Sequence, residues 1–241
     1  MIELHDISFS YMDAPALDHI DLDIEHGEAL ALIGPNGSGK STLLKLLNGI
    51  VFPDAGTYRF DGGEITRARL KDQSFAKRFH QRIGFLFQNS DAQLFCTSVY
   101  DEVAFGPRQM CLDEDEVHRR VSNCLGLLEI ETLASRTPYH LSGGEKRKVA
   151  LSSVLALNPD VLVLDEPMNG LDPKTKHFLR SFLISMRTAG KTIVCATHDF
   201  EYVDGIFSRA AVFSSGHGIA RIGAYAEIIG DRNFLRANNI V

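Results

Sequence analysis

Residues 34–41 constrain the fold of this chain more than any other stretch. They read Gly-Pro-Asn-Gly-Ser-Gly-Lys-Ser, which matches the pattern G-x-x-x-x-G-K-[ST]. A loop of this pattern places backbone N–H groups around the phosphates of a nucleotide and leads into a helix whose N-terminus favours anions. The apolar run of residues 29–33 before the loop and the leucines at helical spacing after it provide the required strand and helix. The sequence therefore predicts a nucleotide-binding domain with an α/β fold.

The positions of this loop have different expected roles. Gly34 and Gly39 allow backbone angles and close approaches that a Cβ atom would prevent. Lys40 is expected to bring its positive charge to the β- and γ-phosphates, and the hydroxyl of Ser41 can ligate Mg²⁺. The residues predicted to bind the nucleotide through this loop are Gly34, Pro35, Asn36, Gly37, Ser38, Gly39, Lys40, Ser41 and Thr42.

The composition is that of a globular protein. Hydrophobic residues make up 44% of the 241 residues and charged residues 23%, which allows a substantial core in one large domain. The net charge of −6 argues against a nucleic-acid partner. The four cysteines are scattered without a C-x-x-C pair, as is typical of reduced thiols in a cytosolic protein. No apolar run approaches the roughly 20 residues of a membrane span.

Two kinds of hydrophobic pattern predict two kinds of sheet. Apolar and polar residues alternate through much of the first 24 residues, which indicates an antiparallel sheet with one solvated face. Fully apolar runs at residues 29–33, 83–87, 161–164 and 192–196 indicate parallel strands that are buried on both faces. Amphipathic helical patterns between these runs predict a mainly parallel sheet flanked by helices.

We therefore predict a single α/β domain with a P-loop NTPase core and two additions. The core and an N-terminal antiparallel β-subdomain are expected in residues 1–88, and the core continues in residues 158–241. The helical pattern of about residues 89–157 is too long for an ordinary crossover between parallel strands. An α-helical subdomain is expected there.

Polar side chains follow three of the predicted parallel strands. Asp165 and Glu166 come directly after one strand, Gln88 follows a second strand, and His198 ends a third. The carboxyl ends of parallel strands share one edge of a sheet, which is also the edge of the phosphate-binding loop. We expect Asp165 to hold Mg²⁺ through water and Gln88 to ligate it. Glu166 and His198 are the predicted catalytic residues, the first as a base for the attacking water and the second as a contact of the γ-phosphate.

A second predicted anion site begins at Ser142. Ser142 and Glu145 have the spacing of a capping box before a helix, and Gly143 and Gly144 leave the helix N-terminus free of side chains. Ser142 can cap the helix and also donate to a phosphate. The basic run of residues 146–148 that follows is predicted to be a solvated face.

With these residues, the chain resembles the ATP-binding subunits of ABC transporters from about residue 1 to about residue 230. Seven motifs of that family occur in order, and together they are very specific. They are Walker A at residues 34–41, the Q-loop at Gln88, the signature at residues 141–145, Walker B at residues 161–165, the adjacent Glu166, the D-loop at residues 169–172 and the switch histidine His198. Tyr11 matches the aromatic residue that stacks on adenine in that family.

This resemblance implies ATP as the nucleotide, Mg²⁺ as its metal ion and a site that is shared between two chains. In the family, Ser142 and Gly144 complete the ATP site of the other subunit, and Gly143 and Asp172 are further expected ATP-binding residues. Because Glu166 and a full signature are both present, the resemblance favours a homodimer of ATPase subunits. Two residues depart from the usual pattern: Glu145 stands where the signature often has Gln, and Met168 replaces a Ser or Thr.

A narrower resemblance concerns residues 85–95 and 103–107, which look like the ATPases of energy-coupling-factor importers, especially those of cobalt and nickel systems. In that family this segment lines a groove that receives a helix of the transmembrane protein. Leu94 and Phe95 are expected either in such a groove or in the hydrophobic core. The resemblance implies a peripheral ATPase on the cytoplasmic face of the cell membrane. Its implied partners are an integral membrane coupling protein and a substrate-binding membrane component.

The transported solute is not encoded in any residue of the sequence that we can identify. The subgroup resemblance favours cobalt or nickel, and a vitamin importer of the same type is an alternative. A soluble ABC ATPase of iron–sulfur cluster assembly is a second alternative. The ABC ATPases of DNA repair or translation usually carry long coiled-coil insertions or tandem cassettes, and the sequence contains neither.

Overall fold

Two β-sheets form the framework of the fold, which the computed structural model describes for residues 1–200 and 202–240. The strands of the first sheet are β1 (Ile2–Tyr11), β2 (Ala14–Ile24), β4 (Ala55–Phe60) and β5 (Gly63–Glu64). The strands of the second sheet are β3 (Ala29–Ile33), β6 (Ile83–Leu86), β7 (Val161–Asp165), β8 (Thr192–Ala196), β9 (Arg209–Phe213) and β10 (Ile219–Ala224). The strand order is β2-β1-β4-β5 in the first sheet and β10-β9-β3-β8-β7-β6 in the second.

Helices connect these strands. The α-helices of the described residues are α1 (Lys40–Leu47), α2 (Gln73–Arg82), α3 (Val99–Gln109), α4 (Glu114–Leu127), α5 (Gly143–Leu155), α6 (Pro173–Thr188), α7 (Tyr225–Gly230) and α8 (Arg232–Ala237). Asp113, Ser142 and Asp172 cap the N-termini of α4, α5 and α6 through their side-chain oxygens. The cap at Ser142 begins α5 where the capping-box spacing predicts it.

The second sheet is parallel except at the edge formed by β10, which pairs antiparallel with β9. Every residue of β3, β7 and β8 is buried, as expected for parallel strands with packing on both faces. Alternate residues of β3 belong to different hydrophobic clusters: Leu30 and Leu32 to the cluster that contains α1 and the first sheet, and Ala31 and Ile33 to the cluster that contains residues of α3–α6. Because β3, β6, β7 and β8 run parallel, their C-terminal ends lie at one edge of the sheet.

The predicted α/β fold, with a mainly parallel sheet and an N-terminal antiparallel sheet, is confirmed. Helices α3, α4 and α5 lie between β6 and β7 along the chain, in the region predicted to be helical, and they pack on one another. The division into residues 1–88, about 89–157 and 158–241 stays a prediction. Within the described part of the chain, no helix has both the length and the apolar character that crossing a membrane requires.

The predicted solvated face at residues 146–148 is wrong for Arg147. Arg147 lies on α5 and is only 4% exposed, because this face of α5 turns toward the segment that follows β6. Lys146 is partly buried and pairs with Asp91, and Lys148 is partly buried and donates to the carbonyl of Leu128. A run of three basic residues on a helix points in three directions, so it does not form a single solvated surface.

Candidate nucleotide-binding site

The loop of residues 34–41 connects β3 to α1 in the conformation that its glycines permit. Gly39 is the N-cap of α1 with φ 105°, and Gly34 has φ 153°. A Cβ atom on Gly39 would lie 2.2 Å from the carbonyl oxygen of Ala16, and one on Gly34 would lie 2.7 Å from that of Phe213. Glycine is therefore required at both positions by backbone angle and by space.

Lys40 begins α1 and places its ammonium inside the loop. The Nζ atom donates to the carbonyl oxygens of Gly34 at 2.7 Å and Pro35 at 2.8 Å, and the residue is 7% exposed. Burial lowers the pKa of Lys40, and the nearby carboxylates of Glu166 and Asp165 offset part of that effect. The charge is thus held close to both carboxylates at the N-terminus of a helix.

Ser41 and Asp165 bring the ends of α1 and β7 together. The hydroxyl of Ser41 donates to Oδ1 of Asp165 at 3.0 Å, and Asp165 is 6% exposed. Burial raises the pKa of Asp165, although the hydrogen bond from Ser41 acts in the opposite direction. Gln88 lines the same cleft as Ser41. A hydroxyl, a carboxylate and an amide oxygen are hard oxygen ligands of the kind that Mg²⁺ prefers, so these residues fit the metal ion.

Glu166 and His198, the two predicted catalytic residues, are in direct contact. Nδ1 of His198 lies 2.9 Å from Oε2 of Glu166, and the backbone N–H of His198 donates to the same oxygen at 3.3 Å. Glu166 is 8% exposed and has a left-handed backbone with φ 46°, which is uncommon for a residue other than glycine. Its own N–H donates to the carbonyl of Ala196 at the end of β8. Backbone strain of this kind clusters at functional sites.

These residues enclose a cleft of about 370 Å³. The hydroxyl of Ser38 is buried and has no hydrogen-bond partner among the described residues, so an acceptor such as a phosphate oxygen would satisfy it. Asn169 also lines the cleft, although the sequence indicates it only as the first residue of the D-loop. The residues that line the cleft are Asn36, Gly37, Ser38, Gly39, Lys40, Ser41, Thr42, Gln88, Glu166, Asn169 and His198.

Ser142 and its neighbours lie in a different cleft. Ser142, Gly144 and Asp172 line a separate cavity of about 310 Å³ that shares no lining residue with the first. The capping box is formed: the N–H and the hydroxyl of Ser142 both donate to Oε2 of Glu145 at 2.8 Å, and the N–H of Glu145 donates back to Ser142. A Cβ atom on Gly144 would lie 3.6 Å from Oδ2 of Asp172, so the signature and the D-loop are adjacent.

Tyr11 does not line the phosphate cleft. It ends β1, is 43% exposed and packs edge-to-face against Phe9 with ring centroids 4.9 Å apart. An exposed aromatic ring at a strand end is compatible with stacking on a base. The ATP-binding role of Tyr11, like the roles of the other site residues, stays a prediction.

Known proteins share both the sequence and the fold. The chain matches the model of the ABC transporter family over residues 17–169. It is 48% identical over 219 residues to the nickel import ATP-binding protein of Lactiplantibacillus plantarum, with 91% of each chain covered. It is 43% identical to the energy-coupling factor transporter ATP-binding protein of Methanothermobacter thermautotrophicus, covering 98% of this chain and 75% of the relative. Among solved structures, cbiO1 of Clostridium perfringens, part of the ABC transporter complex cbiONQ, is similar with a TM-score of 0.83 and 36% identity over 99% of this chain and 94% of that one.

The resemblance inferred from the seven motifs is confirmed by these similarities, which extend well beyond the motifs themselves. The family match covers more than half of the chain, and the relatives are similar across nearly all of it. The chain therefore belongs to the ABC transporter family and is one of its ATP-hydrolysing subunits.

Proposed function

We propose that this ATPase powers a membrane importer of the energy-coupling-factor type that carries nickel or cobalt. The importer type is supported by the identities of 48% and 43% to ATP-binding proteins of a nickel importer and of an energy-coupling factor transporter. The similarity to cbiO1, a subunit of a transporter complex, supports membrane components as partners. We place the subunit on the cytoplasmic face of the membrane, attached through an integral coupling protein and a substrate-binding membrane component.

An apolar groove beside β6 is the observation that carries this proposal. It has a volume of about 390 Å³, and aromatic side chains form much of its lining, including Phe85, Phe87, Phe95 and Phe105. The rings of Phe95 and Phe105 pack edge-to-face with their centroids 5.0 Å apart. Phe95 is 67% exposed and Phe105 is 43% exposed. Two exposed aromatic rings on the rim of an apolar groove are typical of a binding surface for an amphipathic or apolar helix.

A buried carboxylate holds the rim of this groove in place. Glu102 on α3 is 3% exposed, and its Oε2 accepts the backbone N–H groups of Phe95 at 2.9 Å and Cys96 at 2.7 Å. Phe95 therefore remains at the surface, whereas its neighbour Leu94 packs against the hydrophobic core. Of the two locations that the sequence leaves open for these residues, the core suits Leu94 and the groove suits Phe95.

The chemistry that we propose for the cleft follows from its contacts. The backbone of residues 34–41 and the ammonium of Lys40 would bind the phosphates of ATP, and Ser41, Gln88 and Asp165 would hold Mg²⁺. Bound Mg²⁺ would neutralise charge on the phosphate oxygens. Glu166 would accept a proton from the attacking water, and His198, which contacts the Glu166 carboxylate, would orient the water and the γ-phosphate.

We further propose that the ATP site is completed by a second copy of this chain. The phosphate cleft holds the loop, Glu166 and His198, whereas Ser142 and Asp172 line a separate cleft. In a head-to-tail pair of chains, the helix N-terminus at Ser142 of one copy would face the phosphates bound by the other. Closure of this pair by ATP and its opening after hydrolysis would move the groove and the membrane partner docked in it.

Purification of the membrane partner followed by metal uptake tests this function. The chain is purified from membranes of its native cell in mild detergent, and integral membrane proteins are expected to accompany it. The complex is then reconstituted in vesicles, where ATP should drive uptake of radiolabelled nickel or cobalt. Capture of soluble scaffold proteins alone would favour an ATPase of iron–sulfur cluster assembly. Uptake of a vitamin instead of a metal would favour a vitamin importer of the same type.

A pair of variants tests whether the membrane partner docks at the groove. Phe95→Ala should reduce capture of the membrane partner at least about fivefold, because truncation of an aromatic residue that a partner buries costs about 1–2 kcal/mol or more. Met12→Ala is the control, since Met12 is 99% exposed on the turn between β1 and β2 and does not line the groove. Equal capture by both variants would contradict docking at the groove.

A further inference from the structure

Arg147 is a buried charged residue in the first turns of α5, five residues after Ser142. Its guanidinium donates through Nη1 to the carbonyl of Phe87 and through Nη2 to the carbonyl of Gln88, each at 2.7 Å. The two carbonyls belong to the segment that leaves β6 and enters the phosphate cleft at Gln88. One planar group therefore joins the helix of the signature to the backbone that carries a predicted Mg²⁺ ligand.

The environment of this guanidinium favours a geometric role over an electrostatic one. Arg147 is 4% exposed, and among the described residues its Nε has no hydrogen-bond partner. Burial lowers the pKa of Arg147, with some compensation from the charge of Asp165. Its two acceptors are neutral carbonyls, so among the described residues only the charge of Asp165, which makes no direct ion pair with Arg147, offsets part of the burial. The planar guanidinium does fix the directions of two hydrogen bonds at once.

Two further contacts tie the same segment to α5. Lys146 Nζ lies 2.6 Å from Oδ1 of Asp91. Gln93 lies farther along the segment, where its Oε1 accepts the N–H of Phe87 at 3.1 Å and its Nε2 donates to the carbonyl of Ala150 on α5 at 3.4 Å. Gln93 also lines the apolar groove, so the tied segment extends from the phosphate cleft to the groove.

We propose that Arg147 is a positioning residue that makes the backbone of residues 87–93 follow the signature helix. Contact of Ser142 with the nucleotide of a second chain would then move Gln88 into place in the cleft of its own chain, and would move the rim of the groove with it. This inference rests on the proposed function, and in it Arg147 links the phosphate cleft to the apolar groove. A static role in packing would hold the fold together without linking nucleotide contact to residues 87–93.

The substitution Arg147→Lys tests position, because it keeps the positive charge and removes the two-pronged geometry. We expect kcat of MgATP hydrolysis by the full chain to fall about tenfold, the effect of losing one charged hydrogen bond. The KM for ATP should stay within about twofold, because the phosphate loop and Lys40 are unchanged. Arg147→Lys is compared with the wild-type chain under the same conditions.

Arg187→Lys is the matched control. Arg187 on α6 is exposed and donates through Nη1 alone to the carbonyls of Gly205 and Ile206, both at 3.1 Å, so it also contacts two backbone carbonyls but lies away from both clefts. We expect this variant to keep the wild-type kcat. A wild-type kcat in Arg147→Lys, or an equal loss in Arg187→Lys, would overturn the inference. A wild-type chain that does not hydrolyse MgATP would instead contradict the proposed function itself.

Amide hydrogen exchange provides a second test that leaves Arg147 intact. The N–H groups of Ala92, Gln93 and Leu94 donate to carbonyls of residues 89 and 90 and report on the tied segment. In a Glu166→Gln chain, these amides should exchange at least about threefold more slowly with MgATP, at concentrations where light scattering shows a dimer. MgADP is expected to leave the chain monomeric and should not slow them. Equal protection by both nucleotides, or a dimer without protection, would overturn the link.

Discussion

At the residue scale, the phosphate loop shows how closely side-chain type and position are connected. Lys40 is the residue of the loop whose charge is predicted to bind the phosphates. In the structure, its ammonium donates to two carbonyl oxygens of the loop itself. Gly34 and Gly39 have the positive φ angles that the pattern implies. The glycine angles could be predicted because they depend on the local chain alone.

The substitution Lys40→Ala should abolish tight ATP binding. Removal of a charged donor from the phosphate cleft costs about 1.5–3 kcal/mol for each lost hydrogen bond, which corresponds to a loss of affinity of about tenfold to a hundredfold or more. Isothermal titration calorimetry with ATP measures this loss directly. Lys77→Ala on α2 is the control, because Lys77 is exposed and does not line the cleft. An unchanged affinity in Lys40→Ala would refute its role.

Glu145 has a pH dependence whose sign follows from its capping contacts. The backbone N–H and the hydroxyl of Ser142 lower the pKa of Glu145 below its ordinary value. A carboxylate with a lowered folded-state pKa stabilises the fold above its unfolded-state pKa, and this contribution is lost as the pH falls through the folded value. In Glu145→Gln, the urea midpoint should therefore change less with pH across the acid range. An identical pH profile for both chains would argue against an ionised cap.

At the scale of the elements, the strands were easier to predict than several of the helices. Strands β3, β7 and β8 are the apolar runs that the sequence predicts, and they bring predicted polar residues to one edge, whereas β9 and β10 are not among the predicted strands. The sequence interpretation identifies neither α2, which buries only Phe79 of its own residues, nor the link made by Arg147. A helix with one buried residue shows little hydrophobic periodicity, and a basic residue carries no local sign of burial, so tertiary contacts decide both.

Gly84 tests the packing between β6 and α5. A Cβ atom at this position would lie 2.4 Å from Cγ1 of Val154 and 3.0 Å from Cγ of Pro159. Gly84→Ala should therefore lower the free energy of unfolding by about 1–3 kcal/mol through overpacking, as measured by urea denaturation. Gly230→Ala is the control, because a Cβ atom on Gly230 would meet no other atom of the described residues within 4 Å. Equal stability of the two variants would contradict close packing of α5 on β6.

At the scale of the whole molecule, most of the predicted site residues divide between two clefts, and Tyr11 lines neither of them. One contains the phosphate loop, Glu166 and His198, and the other contains Ser142 and Asp172. The sequence orders all of these motifs along one chain, and only the family resemblance implied that they serve two different nucleotides. The spatial separation could not be derived from spacing, because it depends on how α5 and α6 pack against the parallel sheet.

The central claim is that ATP binds between two copies of this chain, and the Glu166→Gln variant tests it most directly. This substitution removes the proposed base and keeps the shape of the side chain, so ATP should bind without being hydrolysed. Light scattering on the purified variant should show a monomer without nucleotide and a stable dimer with MgATP, whereas Lys40→Ala in the same background should stay monomeric. A Glu166→Gln chain that binds MgATP but remains a monomer, or that retains near-normal hydrolysis, would contradict the account.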